Sequence, residues 1–399
     1  MRGWKEVKHK HRFELILGIT FLCLLCCVVV VMIKTYDRNE KDHLEGSKIN
    51  NEDKSSNTEM EVVNLRNNEV EIHGAYFSAS SVSTLEKVEK IISDLKGTKI
   101  NAVVIDVKDD YGEITFPIGV PLAEGIGAIS EQIHNVKDML QLFHKNGIYV
   151  IGRIVAFRDD ILTGKRPDYA VKCKDGSIFL DRANHAWLNP YNQNCWLYLI
   201  SIGKAAAEMG FDEIQFDYVR FSTEMSKDKV SLDVDMSQYS KTQVITDFIQ
   251  YAVRVLHEYK VAVSADVFGS IIHSELDSSI VGQDYVELSR YLDYICPMIY
   301  PSHYADGCFG IAVPDLEPYQ LIYEVLQDSN EELSILKDQV HCAKVRPWLQ
   351  DFTARWKKKF QPYGTQQVND QIQGVYDSGC SQWLLWNSSG RYSVMKQMN

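Results

Sequence analysis

From His73 onward, short apolar segments alternate with longer amphipathic ones, and this alternation repeats eight times. The predicted strands are His73–Ala79, Ile100–Val107, Tyr149–Val155, Glu213–Val219, Val261–Val267, Tyr294–Tyr300, Val345–Leu349 and Gln382–Asn387. The predicted helices are Ser83–Leu95, Ile129–Lys145, Asn194–Glu208, Lys241–Tyr259, Val281–Tyr291, Tyr319–Gln327, Asp351–Lys359 and Asn369–Ser378. Eight strand–helix units in succession predict one α/β domain, a closed (β/α)8 or TIM barrel.

A doubly wound open sheet is the alternative for a chain of alternating strands and helices. Such a sheet usually carries a glycine-rich phosphate-binding loop after an early strand, and this chain has none. The pattern within the strands also favours closure, because the inner face of a small barrel must be filled by side chains of limited volume. Small residues and an acid share one face of two predicted strands, namely Ala102, Val104 and Asp106, and Ala262, Ser264 and Asp266.

The first 34 residues predict a membrane anchor. A basic tail over residues 1–12 precedes residues 13–34, which contain an uncharged run from Leu15 to Ile33. That run is long enough to span a bilayer as a helix, and the basic flank is expected to stay in the cytoplasm. A cleaved signal peptide is the alternative, but its apolar core is usually shorter and ends in small residues. We therefore predict a single-pass signal anchor in the cell membrane, with the remaining chain extracellular.

Residues 35–72 are rich in Asn, Glu, Asp, Lys and Ser and show no apolar period, which predicts a flexible polar stalk. Residues 73–399 follow as the barrel ectodomain. The chain has a formal net charge of −12, and short basic runs such as Lys357–Lys359 are expected on a solvated helical face. A nucleic-acid partner is not predicted, because it would require Lys and Arg clustered on one face.

The segment Gly210–Phe221 reads as a strand that ends in an acid and a base. Asp217 closes an otherwise apolar strand, and Arg220 follows it. In a parallel barrel, catalytic groups collect at the C-terminal ends of the strands, which makes Asp217 a candidate catalytic residue. A structural ion pair between Asp217 and Arg220 is the alternative.

The other predicted strand ends add acids and aromatic rings to the same edge of the barrel. Asp266 ends the fifth strand and is the second candidate catalytic carboxylate. The residues predicted to bind substrate are Asp106, Asp109, Arg153, Arg220, Tyr300, Trp383 and Asn387. In the alternative interpretation, Asp106 and Asp109 cap the loop before Gly112, and the aromatic residues are ordinary core side chains.

Paired carboxylates beside aromatic rings suit glycoside cleavage. One carboxylic acid protonates the leaving oxygen, while the second attacks the anomeric carbon or activates water. The histidines of residues 73–399 form no His-x-His or His-Glu-x-x-His pattern, which disfavours a metal hydrolase. No Gly-x-Ser-x-Gly elbow is present, which disfavours an esterase. Neither a metal nor a cofactor is predicted.

Several motifs also resemble a known family. They are Tyr76-Phe77, Asn101–Asp110, His185–Tyr191, Gly210–Phe221 and Pro297–Ser302. Together they run across nearly the whole ectodomain, and they resemble DUF4015, a bacterial family of glycoside hydrolase-like domains. The resemblance implies a TIM barrel with a glycosidase-like ancestry.

The resemblance also implies roles for individual residues. In barrel glycosidases with similar strand-four motifs, the strand-four acid is the nucleophile, and by position this role falls on Asp217. Related families place the acid/base partner after strand five or strand six. Here strand five offers Asp266, whereas strand six offers Tyr300 but no carboxylate before Asp306. Chitinases end the strand-four motif in a catalytic Glu, and Val219 in that place argues against an acetamido-assisted mechanism.

The leading hypothesis is therefore a membrane-anchored extracellular glycoside hydrolase that acts on a cell-surface or environmental polysaccharide. A non-catalytic carbohydrate-binding barrel of the cell envelope is the alternative, since it would need the same aromatic mouth but no matched acid pair. A third hypothesis is an envelope scaffold in which the anchor and stalk matter most. The predicted partners are a polysaccharide or oligosaccharide substrate and, through the N-terminal helix, the membrane.

Overall fold

A computed structural model describes residues 71–226, 228–337 and 341–398. The barrel strands are β1 (His73–Phe77), β2 (Ala102–Lys108), β3 (Tyr149–Val155), β4 (Glu213–Asp217), β5 (Ala262–Phe268), β6 (Tyr294–Met298), β7 in two segments (Lys344–Val345 and Trp348–Gln350) and β8 (Trp383–Trp386). Neighbouring strands are parallel, and β8 pairs both with β7 and with β1. The ring is therefore closed, which confirms the predicted (β/α)8 barrel.

Helices connect successive strands on the outside of the barrel. Those described are α1 (Leu85–Leu95), α2 (Pro121–Ile126), α3 (Val136–Lys145), α4 (Asp160–Lys165), α5 (Gln193–Met209), α6 (Lys241–His257), α7 (Glu275–Val281), α8 (Tyr285–Ser289), α9 (Pro318–Leu333) and α10 (Thr365–Asp377). A 3-10 helix, Ser393–Met398, takes the place of a helix after β8. A two-stranded antiparallel ribbon pairs Lys172–Cys173 with Val230–Ser231 outside the barrel.

Two predicted helices are shorter or broken in the structure. The helix predicted over Ile129–Lys145 begins only at Val136, because Asn135 caps it by accepting a hydrogen bond from the backbone of Asp138. The helix predicted over Val281–Tyr291 is interrupted at Gly282, whose φ is 79°. A Cβ at Gly282 would lie 2.8 Å from the carbonyl oxygen of Lys241, so close packing against α6 also requires glycine there.

The helix predicted over Asp351–Lys359 does not form. The Asp351 carboxylate accepts hydrogen bonds from the backbone nitrogen of Ser393 at 2.7 Å and from its hydroxyl. The hydroxyl of Thr353 accepts one from the backbone of Tyr363 at 3.0 Å. Because these partners lie outside the segment, its polar groups are used in tertiary contacts and it folds as bends and turns. The Lys357–Lys359 run is therefore not on a helix.

Apolar residues fill two layers, one on each side of the strands. On β2, Val103 and Ile105 belong to the layer between the barrel and the helices, whereas Ala102 and Val104 belong to the barrel interior. The interior also holds a buried ion pair. Arg346 donates to both carboxylate oxygens of Glu213, one of them at 3.2 Å, and both side chains are fully buried.

Arg346→Met is expected to lower the free energy of unfolding by about 3–5 kcal/mol, because it leaves the Glu213 charge buried without its partner. Chemical denaturation would measure the loss. Arg182→Met is the control, since the Arg182 side chain is 88% exposed and its replacement should change stability by about 0.5 kcal/mol or less. A second variant, Glu213→Gln with Arg346→Met, should recover much of the loss. Equal stabilities of the Arg346 and Arg182 variants would contradict this account of the barrel interior.

The predicted membrane anchor, residues 13–34, and all but the last two residues of the predicted stalk lie outside the described residues. Within the described ranges, no helix has the length and apolar character that crossing a bilayer requires.

Candidate active site

Five buried side chains point inward near the C-terminal end of the barrel. They are Asp106 on β2, Arg153 on β3, Asp217 on β4, Asp266 on β5 and Trp348 on β7. Parallel strands bring their C-terminal ends to a single edge, and side-chain alternation turns every second residue inward. Sequence-distant residues thereby become hydrogen-bonded neighbours.

Arg153 lies at the centre of an acidic cluster. Its Nε and Nη2 donate to Oδ2 of Asp217 at 2.9 and 2.6 Å, and its Nη1 donates to Oδ1 of Asp106 at 2.7 Å. It also contacts the carboxylate of Asp110 at 3.4 Å. Burial raises the pKa of Asp106, although the Arg153 charge and a 2.5 Å hydrogen bond from the Tyr76 hydroxyl oppose that rise. One guanidinium thus orients three carboxyl groups.

Asp217 has the environment of a carboxylate anion. Oδ2 accepts two hydrogen bonds from the Arg153 guanidinium, and Oδ1 accepts one from the backbone nitrogen of Tyr218 at 2.6 Å. Tyr218 has a φ of 49°, a left-handed conformation that is uncommon for a bulky residue and often occurs at functional sites. This turn ends β4 and brings the next backbone N–H back toward the carboxylate.

Asp266 has the opposite environment. Burial raises its pKa well above the usual range, and the charge of Asp217 raises it further. A hydrogen bond of 2.6 Å from Nε1 of Trp348 to Oδ1 only partly opposes this rise. Asp266 therefore holds its proton to a higher pH than an ordinary aspartic acid does, and its Oδ2 is not bonded to the indole. The site holds one carboxyl suited to donate a proton and one suited to act as an anion.

Both carboxyls line a pocket of about 530 Å³. This volume lies within the usual range for small-molecule sites. The aromatic residues of its wall are Tyr218, Phe268, Tyr300, Tyr304, Trp348 and Trp386. The pocket therefore combines three acids with several ring faces, as the sequence predicts for a site that binds sugars.

Arg220 lies in a cage of aromatic rings at the wall of the same pocket. Its guanidinium carbon lies 4.4 Å from the ring centre of Phe268, 4.9 Å from that of Tyr218 and 5.1 Å from that of Trp187. Burial lowers the pKa of Arg220 to about 10. The ion pair with Asp217 considered from the sequence does not form, because Asp217 is bound by Arg153 instead.

Three residues predicted to bind substrate lie elsewhere. The Asp109 carboxylate accepts hydrogen bonds from the backbone of its own loop. The side-chain amide of Asn387 donates to backbone carbonyls that follow β7 and β8. The ring of Trp383 packs on His73, away from the pocket. The structure does not bring these three residues to the pocket, because local turns use the two polar side chains and Trp383 faces the helix layer. Asp106, Arg153, Arg220 and Tyr300 do come together around Asp217 and Asp266.

Asp110 and Arg158 are residues of the site that the sequence did not single out. The Arg158 guanidinium pairs with the Asp110 carboxylate and donates to the hydroxyl of Tyr218 at 2.8 Å. Burial opposes ionisation of Asp110, but Arg153 and Arg158 outweigh it and lower its pKa. The two adjacent acids Asp109 and Asp110 were the sequence feature that could have indicated Asp110 as a site residue. The second of them, rather than the first, lines the pocket.

Asp110→Asn is expected to lower the free energy of unfolding at neutral pH, with a pH-dependent difference from wild type. Because the folded-state pKa of Asp110 is lowered, its stabilising contribution is full above the unfolded pKa of about 3.9. The contribution is lost as pH falls through the folded pKa, so the two stabilities should converge in acid. Denaturation at several pH values would measure this, with Asp94→Asn, in an exposed pair with Lys90, as control. A difference independent of pH would contradict the role of the two arginines.

Comparison with known proteins places the fold. The search of curated proteins found no match. A hypothetical protein from Ruminiclostridium thermocellum ATCC 27405 is 39% identical over 48% of this chain and 97% of that chain, with a TM-score of 0.44. The PgaB (BpsB) glycoside hydrolase domain from Bordetella bronchiseptica is 15% identical over 80% of this chain and 95% of that domain's chain, with a TM-score of 0.58. The catalytic domain of β-amylase from Paenibacillus polymyxa is 12% identical over 80% of this chain and 93% of that domain's chain, with a TM-score of 0.50.

The last two similarities concern the barrel fold. The family match is more specific, because the sequence model described as "Putative glycosyl hydrolase domain" matches residues 74–392. That range runs from β1 to beyond β8 and contains every pocket residue described above. The chain therefore belongs to the DUF4015 family of glycoside hydrolase-like domains.

Proposed function

We propose that the barrel hydrolyses O-glycosidic bonds with Asp217 and Asp266 as its paired carboxylates. The observation that carries the proposal is the contrast between them within one pocket. Burial keeps the pKa of Asp266 high, whereas Asp217 is held by the Arg153 guanidinium. Glycoside hydrolysis requires this division into a proton donor and an anion.

In the proposed reaction, Asp266 donates its proton to the glycosidic oxygen as the bond to the anomeric carbon breaks. Asp217 either attacks the anomeric carbon to form a glycosyl ester, which water hydrolyses in a second step with Asp266 now acting as the base, so that the configuration is retained overall, or it removes a proton from an attacking water, which inverts the configuration. Asp106 does not touch the substrate in this scheme. It acts as a positioning residue, because it binds the Arg153 group that fixes Asp217. The anomer released first, observed by NMR, distinguishes the two routes.

The wall residues have proposed roles in binding. Arg220 donates hydrogen bonds to the substrate, and Tyr300 and Trp386 stack on sugar rings. All three line the pocket together with the two acids. The ring of Trp386 also packs on Tyr76 and Trp348, which supports it as a fixed platform.

The proposed location is the outer face of the cell membrane. Residues 13–34 would act as a single-pass anchor and residues 35–72 as a stalk, with an extracellular barrel that acts on a cell-surface or environmental polysaccharide. The uncharged run Leu15–Ile33 and its basic flank support this topology. Protease treatment of intact cells should remove the barrel and leave the basic tail protected; a barrel that resists cleavage until the cells are lysed would argue against it.

One observation favours a second candidate, a carbohydrate-binding barrel without activity. Arg153 donates two hydrogen bonds to one oxygen of Asp217, and such pairing lowers the reactivity of a carboxylate. A single experiment separates the two functions. The full-length protein in detergent is incubated with a panel of polysaccharides, and shorter oligosaccharides are sought by mass spectrometry. Products from at least one glycan support the hydrolase, whereas tight binding without products supports the binder.

A further inference from the structure

Arg220 differs from the other two arginines at the site. Arg153 and Arg158 each pair with carboxylates of the barrel. Among the described residues, the hydrogen bond of Arg220 is donated to the carbonyl oxygen of Phe221 at 2.9 Å, and no carboxylate lies within ion-pair distance. Its charge therefore faces the pocket with ring faces and one backbone carbonyl around it.

The aromatic cage holds this charge in place. Three rings contact the guanidinium, and they come from the turn after β4, the end of β5 and the loop after β3. A planar guanidinium fixed in this way keeps donors for a bidentate contact, and carboxylates, phosphates and sulfates match that geometry. A substrate with only hydroxyl groups would leave the positive charge without a counterion.

A second feature extends from the pocket. Tyr300 and His303 line the pocket, and Phe352 and Trp356 continue outward from them. The ring centres are 5.8 Å apart for Tyr300 and Phe352, and 5.9 Å for Phe352 and Trp356. These four residues form what we call the aromatic ridge. Trp356 at its outer end is 66% exposed, which is unusual for so large an apolar side chain.

The outer end of the aromatic ridge is also basic. Arg355, Lys358 and Lys359 are exposed beside Trp356 on the same segment. The carboxylate of Asp306 lies 3.8 Å from Nζ of Lys359, and both side chains are largely exposed. The chain as a whole carries a net charge of −12. A local concentration of positive charge on an acidic protein therefore favours an anionic ligand at this edge.

We propose that the substrate is an anionic glycan, one of whose acidic groups pairs with Arg220 in the pocket while its neighbouring sugar units lie along the aromatic ridge. The shared chemistry is a carboxylate, phosphate or sulfate on a sugar. This inference rests on the proposed function, since it names the substrate class of the same pocket. It also assigns a specificity-determining role to Arg220 and a binding role to Trp356.

The test measures binding by the full-length protein in detergent, with Asp217→Asn present to prevent turnover. A glycan array with uronic-acid, sulfated, phosphorylated and neutral chains identifies the best ligand. The same chain with its acidic groups removed, by carboxyl reduction, desulfation or dephosphorylation, is the matched neutral probe. The dissociation constants of the two forms are then compared for each variant.

The anionic chain is expected to bind at least about tenfold more tightly than its neutral form. Arg220→Gln should abolish this difference, whereas Arg182→Gln, which removes the same charge from an exposed surface site, should preserve it. Trp356→Ala should weaken binding of long chains but not of a monosaccharide probe. Ile335→Ala is its control, because Ile335 is 67% exposed and lies outside the pocket.

Equal binding of the anionic and neutral forms would overturn the inference, as would an Arg220→Gln variant that keeps the preference. Binding to vesicles of anionic phospholipid that depends on Trp356, without binding to any anionic glycan, would also overturn it and assign the ridge to a membrane surface. The proposed hydrolase function and the inference of an anionic substrate can fail independently of each other. Cleavage of neutral glycans would sustain the hydrolase without the inference, whereas preferential binding of anionic glycans by a protein that cleaves none would sustain the inference alone.

Discussion

Asp217→Asn is expected to lower kcat/KM for glycan hydrolysis by roughly 10³-fold, within the range for loss of an acid–base group. Asn has nearly the same size and still offers Arg153 an oxygen acceptor, so the fold should persist. It cannot attack carbon or remove a proton from water, because its amide nitrogen carries no available lone pair. Initial rates of product formation by the full-length protein measure the effect.

Two controls separate a chemical role of Asp217 from a structural one. Asp168→Asn makes the same change at an exposed acid outside the pocket and should keep full activity. In a retaining enzyme, Asp217→Ala with added azide should regain cleavage of an activated aryl glycoside, because azide takes the place of the missing nucleophile. Turnover by Asp217→Asn close to wild type would exclude Asp217 from the reaction.

Asp266→Asn is expected to have an effect that depends on the leaving group. For a natural glycosidic bond, loss of the proton donor should reduce kcat/KM by about 10²–10⁴-fold. A dinitrophenyl glycoside needs little protonation, so its rate should change far less. The wild-type rate on natural linkages should fall as pH rises through the raised pKa of Asp266, and the variant should lack this limb. Equal losses on both substrates would contradict a role as general acid.

Stability provides an independent readout for the same variant. The folded-state pKa of Asp266 is raised, so the unfolded state loses its proton first as pH rises, and the folded state becomes less stable above about pH 3.9. The loss of folding stability reaches its full size above the pKa of Asp266 in the folded state. Asn carries no charge at any pH, so Asp266→Asn should unfold at a higher temperature than wild type at neutral pH. The difference should disappear in acid.

Much of the barrel and the centre of its site could be predicted from the sequence. A strand in a barrel alternates between two apolar layers, and its last inward position points into the mouth. This rule places Asp106, Arg153, Asp217 and Asp266 together without any knowledge of their contacts. The structure confirms that they meet, although their catalytic roles stay predictions.

Two of the errors concern which residue at or near a strand end faces the pocket. The register between β2 and β3 shifts between Asp106 and Lys108, and beyond this irregularity Asp110 rather than Asp109 lines the pocket. On β8, Trp383 faces the helix layer at the start of the strand, and Trp386 occupies the inward position near its end. The sequence pattern alone does not tell which face of a fully apolar strand such as β8 points inward, because this depends on pairing with the neighbouring strands.

The partner of Asp217 was also not readable from local sequence. Arg220 is three residues away in the chain, yet Arg153 on the adjacent strand binds the carboxylate. The left-handed turn at Tyr218 separates Asp217 from the residues that follow, and Arg220 packs among rings from other strands. Short sequence separation therefore gave the wrong pairing, and strand adjacency gives the observed one.

The central claim is that this barrel cleaves glycosidic bonds with water through Asp217 and Asp266. The most direct measurement is digestion of the best-bound glycan in oxygen-18 water, with mass spectrometry of the products from wild type, Asp217→Asn and Asp168→Asn. The account predicts that wild type and Asp168→Asn place the heavy oxygen at each new reducing end, and that Asp217→Asn releases almost no product. Unlabelled or unsaturated products, or equal labelling by all three proteins, would contradict it.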